Sequence, residues 1–175
     1  AMRLLLIGHG EHGKSEVAEQ LYRQLGMTYQ DSSWAACEKA VYPVLAPRYG
    51  YTSLEECYAD RRNHRTEWHD LIRAYNNPLT RLADEILAEH PTYVGMRNRE
   101  EFDACDEVKT FDLVVGVDAR GRKPLEPKGS FQLDLDRDPD WLIDNNGSFE
   151  HLLAAIQDFI DRFDLRVEDE EARPA

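Results

Sequence analysis

A three-layer α/β sandwich, a five-stranded parallel sheet flanked by helices, is the fold that this 175-residue sequence predicts. Three observations carry that reading. Apolar stretches alternate with stretches of helical period along the chain, as in a sheet built from strand-helix-strand units. Two of them, Leu4-Leu5-Leu6-Ile7 and Phe111 to Val117, are almost continuously hydrophobic, as strands buried on both faces are. Between the first strand and the first helical stretch lies Gly8-His9-Gly10-Glu11-His12-Gly13-Lys14-Ser15, which has the GxxxxGK[ST] spacing of a phosphate loop. Glycines let successive backbone N–H groups turn inward around an anion, and the following helix adds the positive end of its dipole. The fold class is therefore a P-loop NTPase. Gly8, Gly10, Gly13, Lys14, Ser15 and Glu16 are the candidate nucleotide-binding residues, with Lys14 on the β- and γ-phosphates and the Ser15 hydroxyl on magnesium.

Residues 3–7 form the first strand and Gly13 to about Leu25 the first helix, closed by Gly26. Met27 to Gln30 is a short strand ending at Asp31. Asp31-Ser32-Ser33 caps a helix from Trp34 to about Leu45, which Pro47 stops. Tyr49-Gly50-Tyr51 is a turn. Ser53 and Glu56 have capping-box spacing and open a long helix from Leu54 to about Tyr75. Asn77 as N-cap and Pro78 in the first turn start another, running to Glu89. Pro91 to Met96 is the third strand, Arg99 to Cys105 a short helix and Phe111 to Val117 the fourth strand. Residues 119–138 are polar and rich in glycine and proline, a lid-like loop in which Ser130 to Leu133 is extended. Trp141 to Ile143 is the last strand, and Ser148 caps a final helix to about Phe163. Residues 2–165 are expected to form one domain, with an acceptor-binding helical region at about 31–90. Residues 166–175 form an acidic, disordered tail.

With 42% apolar and 31% charged residues the chain can bury a core beneath a water-soluble surface. A net charge of −13 disfavours general duplex binding, which needs a basic face, although clustered arginines can still hold phosphates. No run is apolar and long enough to cross a membrane, and no signal peptide is seen. Cys37, Cys57 and Cys105 have neither metal-ligand nor CxxC spacing and are expected to be reduced packing thiols of a cytoplasmic protein.

In open parallel sheets ligands bind at the carboxyl ends of the strands. That rule gathers Asp31, Arg97, Asp118 with Arg120 and Arg122, and Asn145 with Asn146 near the phosphate loop. Asp31 is either a base accepting the proton of an acceptor hydroxyl or simply a helix cap. Arg61, Arg65, Trp68, His69 and Ile72 share a helical face: a phosphate clamp with a stacking ring for the acceptor, or a solvated basic face with Trp68 in the core. Arg97 either holds the acceptor or transferring phosphoryl group or pairs with Glu101. Arg120 and Arg122 are either lid cations that neutralise transition-state charge or part of a polar loop. His9, Glu11 and His12 are expected to face solvent.

Three segments resemble the nucleoside monophosphate kinase group of P-loop kinases, in particular the viral deoxynucleoside monophosphate kinases and thymidylate-kinase-like enzymes. They are Gly8 to Ser15, Gly95-Met96-Arg97-Asn98-Arg99-Glu100-Glu101-Phe102, and Asp140 to Ser148. The second is similar to that family's Asp-x-Arg-x-x-Asn-Glu segment, with Gly95 in place of the frequent acidic residue. The third is similar to the strand and loop that flank the donor adenine, which makes Asn145 and Asn146 nucleotide-binding candidates. The resemblance implies ATP and magnesium, a closing lid with arginines, and a deoxynucleotide acceptor. The group extends to phage kinases that phosphorylate 5-hydroxymethyluracil within DNA, so free and polymeric acceptors both stay open, as does a homodimer in the host cytoplasm. A switch or motor ATPase is disfavoured because no strand ends in the hydrophobic run and Asp-Glu of a Walker B motif. A catalytically dead module would be expected to lack Lys14 or Ser15.

Overall fold

The computed structural model describes residues 2–167, so the acidic tail from Glu168 lies outside the described residues. Five strands, β1 (Leu4–Ile7), β2 (Tyr29–Asp31), β3 (Thr92–Val94), β4 (Leu113–Asp118) and β5 (Trp141–Asp144), form one sheet in the order β2-β3-β1-β4-β5. Every pairing is parallel, with Leu6 of central β1 opposite Val94 on one side and Val115 on the other. From β1 the chain turns first to the β2–β3 side and later to the β4–β5 side. Strand order therefore reverses at the end of β1, where such sheets hold their ligands.

Strand period assigns the residues of β1 to two cores. Leu4 and Leu6 pack with Val17, Leu21, Ile156 and Phe159 of helices α1 (Lys14–Leu25) and α8 (Phe149–Arg162). Leu5 and Ile7 face Leu82, Ile86 and Phe102, carried by α6 (Arg81–Leu87) and α7 (Arg99–Glu107). A third cluster, around Cys37, Val41, Leu45, Cys57 and Trp68, sits within the helices between β2 and β3. All three cysteines are free and buried. Among the described residues no helix is long and apolar enough to cross a membrane.

The helical region departs from the sequence expectation in three places. Pro47 does not stop the helix after β2. That helix runs as α2 (Ser32–Ala36), a π turn (Cys37–Val41) and α3 (Tyr42–Tyr49), with Pro43 in the first turn of α3, where a missing N–H matters little. It ends where Gly50 takes the left-handed conformation and donates to the Ala46 carbonyl. The expected helix from Leu54 to Tyr75 breaks into α4 (Leu54–Ala59), a 3-10 turn (Arg61–His64) and α5 (Arg65–Tyr75). At the break the Asp60 carboxylate accepts from Tyr51, Asn63 and His64, and these side-chain bonds compete with a continuous helix. The next helix, α6, starts at Arg81 rather than at Asn77 and Pro78. Buried Asn76 anchors it, accepting the Leu82 N–H at 2.9 Å. Ser130 to Leu133 is not a strand, although Leu133 and Leu135 are buried against β4's face of the second core.

Candidate active site

The loop between β1 and α1 takes its shape from glycines at two close approaches. Gly8 passes the Val117 carbonyl so tightly that a Cβ would lie 2.7 Å from that oxygen. Gly13, at φ 106°, leaves room for the Asn145 amide, which a Cβ would meet at 2.5 Å. Glu11 also has positive φ, at 64°. Lys14 arches back over the loop and donates to the Gly8 and His9 carbonyls at 2.6 and 3.2 Å. Burial, with the Arg97 cation nearby, lowers its pKa to about 8.

Beside the loop lies a cleft of about 500 Å³, lined by Gly10, Gly13, Lys14, Ser15, Asp31, Tyr58, Arg61, Gly95 and Arg97 among others. The loop after β1, the carboxyl ends of β2 and β3 and the 3-10 turn thus converge on one space. Asp31 caps α2: one carboxylate oxygen accepts from the Trp34 N–H at 3.0 Å and from the Ser33 hydroxyl at 2.6 Å. It also lines the cleft, so cap and candidate base are compatible. The Tyr58 hydroxyl reaches Ser33 at 3.0 Å, which links Tyr58 to Asp31 through one side chain. Tyr58 carries no local signal in the sequence, and only the tertiary fold brings it to the cleft. Gly95 has φ 92° with the Lys14 stem alongside, a backbone conformation that an acidic residue at this position would seldom adopt.

The proposed acceptor face of the long helix is divided among three spaces. Arg61 lines the phosphate-loop cleft, donating to the Tyr58 carbonyl with its guanidinium 4.1 Å over the Tyr58 ring. Arg61 and Arg65 also border a second cavity of about 310 Å³, with Arg62 and Trp68. Trp68 itself is only 7% exposed and packs edge-on against Tyr58 in the third core, which corrects the expectation of a stacking platform. His69 and Ile72 border a third cavity, of about 190 Å³, beside Asn76 and Glu101. Among the described residues Arg61, Arg62 and Arg65 make no ion pair.

Arg97 does not pair with Glu101. Its guanidinium forks onto Glu126, with contacts of 2.8–3.1 Å, and the same carboxylate accepts the Gly10 N–H at 3.0 Å. Burial would raise the Glu126 carboxyl, but the Arg97 bonds, the Gly10 N–H and the Lys14 cation hold it below its usual value. The two loop histidines do not both face solvent. His12 is fully buried, its Nδ1 accepting from the Ala119 N–H and its Nε2 donating to the Pro124 carbonyl. His9 Nδ1 accepts the Glu126 N–H at 3.2 Å, and its ring packs on Phe131; only Glu11 is exposed. The polar stretch 119–138 is therefore fastened to the phosphate loop. Nothing local in the sequence points to Glu126, which lies 116 residues from Gly10.

Arg120 and Arg122 lie outside the cleft. Arg120 bridges Asp118 and Asp136, and Arg122 donates to the Asn145 carbonyl at 2.7 Å. Asn145, expected beside an adenine, is buried and braces the loop from within, donating to the His12 carbonyl at 2.9 Å. Asn146 accepts from the Gly121 N–H and donates to Asp144. The Glu16 carboxylate accepts from Gln20 along α1 and is not among the cleft residues.

Glu101 accepts from Asn76 Nδ2 beneath the third cavity, which His69, Arg73 and Glu100 also border. Burial pushes its carboxyl up to about 7. Between about pH 4.5 and 7 the folded chain holds a proton there that the unfolded chain has released, so stability falls as pH rises through that window. Glu101→Gln keeps an acceptor for Asn76, and it is expected to flatten that slope and raise stability at pH 8 by about 2 kcal/mol. Urea midpoints of both proteins at pH 5 and pH 8 check this; equal slopes would refute it.

No protein-family model and no curated protein matches the sequence. Among solved structures, a shikimate kinase from Bacteroides thetaiotaomicron is similar with a TM-score of 0.53 and 12% identity, over 94% of this chain and 99% of that one. A sugar kinase from Janibacter sp. HTCC2649 is similar with a TM-score of 0.51 and 12% identity, over 94% and 96%. With its five parallel strands between helices and its glycine loop after β1, the chain has the fold of the P-loop kinases.

Proposed function

We propose that this protein is an ATP- and magnesium-dependent phosphotransferase that moves the γ-phosphate of ATP onto a deoxynucleotide-type acceptor. The observation that carries the reading is one cleft holding Lys14 and Ser15 together with Asp31, Arg61 and Arg97. The fold shared with the shikimate and sugar kinases supports the phosphotransferase part of this reading, and the acceptor rests on the cleft residues. The loop fits a polyphosphate, because its Gly10 N–H, near Lys14 and Arg97, already holds the Glu126 carboxylate. Among the described residues no three acidic, histidine or cysteine side chains cluster as a metal site. Magnesium would be held by the Ser15 hydroxyl and the donor phosphates, where it supplies charge neutralisation. Lys14 and the loop N–H groups orient the phosphates, and Arg61 and Arg97 position the acceptor, so catalysis rests on placement and charge.

A second reading, transfer to the hydroxymethyl group of 5-hydroxymethyluracil within DNA, is favoured by two observations. Asp31 stands in the cleft, where it could accept a hydroxyl proton, and Arg62 and Arg65 continue the positive surface beyond Arg61. Asp31→Asn separates the readings, because asparagine caps a helix as well as aspartate does. The variant is expected to lose about a hundredfold in rate on a hydroxyl acceptor and little on a phosphate acceptor. Transfer of labelled γ-phosphate should be measured with free deoxynucleoside monophosphates and, in parallel, with DNA containing 5-hydroxymethyluracil. Label on a monophosphate supports the first reading and label in the polymer the second; label on neither rejects both acceptors.

A further inference from the structure

We infer that Glu126 is an internal latch, a carboxylate that sits on the phosphate loop and that the donor's phosphates must displace. The inference rests on the nucleotide reading of that loop. Glu126 is only 17% exposed and makes the contacts expected of a bound anion: the Gly10 N–H at 3.0 Å and a forked guanidinium at 2.8–3.1 Å. A Cβ on Gly10 would lie 3.1 Å from its Oε1, so the carboxylate lies directly against the loop backbone. The latch is also seated through its backbone and the residues leading into it. His9 accepts the N–H of Glu126 itself, and His12 grips Ala119 and Pro124 just before it.

Two consequences follow from the competition for the same groups. The fraction of molecules with Glu126 withdrawn sets the apparent affinity for the donor, because only those offer an open loop. Withdrawal also releases Arg97 into the acceptor cleft, so donor binding prepares the acceptor site and the acceptor binds more tightly afterwards.

The test titrates ATP with magnesium into the full chain and its Glu126→Gln and Glu126→Ala variants, and measures amide exchange of residues 119–126 in each without nucleotide. The latch predicts about tenfold tighter ATP binding in both variants, together with faster exchange of that segment in Glu126→Ala. Tighter binding with unchanged exchange would mean simple charge repulsion and overturn the latch. Equal or weaker binding in both variants, with ATP still bound by the native protein, would overturn it while leaving the nucleotide reading intact. No ATP binding by any of the three would overturn both.

Discussion

Replacing Lys14 by alanine is expected to lower phosphoryl transfer about a thousandfold while the protein stays folded. The rate effect follows from position. Lys14 is the one lysine among the residues lining the cleft, and a fixed cation placed on developing phosphoryl charge is worth orders of magnitude in rate. The folding effect is small because two terms oppose. The variant loses hydrogen bonds to the Gly8 and His9 carbonyls, worth about 1 kcal/mol each. It also removes a cation that burial disfavours, as its pKa of about 8 shows. Labelled γ-phosphate transfer beside a thermal melt separates the two effects. Transfer at the native rate would remove the loop from the chemistry.

Gly8→Ala is expected to destabilise the fold by about 3 kcal/mol, a fall of roughly 6–12 °C in melting temperature for a domain of this size. The added Cβ would lie 2.7 Å from the Val117 carbonyl oxygen. That oxygen belongs to β4, which pairs with β1 from Leu4 opposite Leu113 to Ile7 opposite Gly116, so relief requires parting the two central strands. Gly50→Ala is the matched control. Its φ is 73°, but nothing lies within 4 Å of the new Cβ, so only the left-handed backbone cost of about 1 kcal/mol remains. Equal losses in the two variants would show that the close approach at Gly8 costs nothing. Because Gly8 opens the phosphate loop, nucleotide affinity should fall with it, whereas Gly50→Ala should leave affinity unchanged.

The sheet and the phosphate loop were legible in the sequence because their signals are local. Leu4 to Ile7 and Phe111 to Val117 announce buried strands through composition alone, and the loop is recognised from glycines and a lysine at fixed spacing. Helix ends were legible where a side chain within three residues caps them, as with Asp31, Ser53 and Ser148. The break at Asp60 was not, because it depends on Tyr51 reaching nine residues forward to compete with helical hydrogen bonding.

The candidate site divides along the same line. Sequence alone determined that a glycine loop with phosphate-loop spacing joins a buried strand to a helix, since backbone geometry there depends on neighbouring residues. Tertiary structure decided which charges meet it. Arg97 finds Glu126 rather than Glu101, His12 is buried under residues 119–124, and Asn145 braces the loop. Each of these contacts joins groups 29 to 133 residues apart, and their partners are chosen by how the chain packs at the end of β1, which no local spacing encodes.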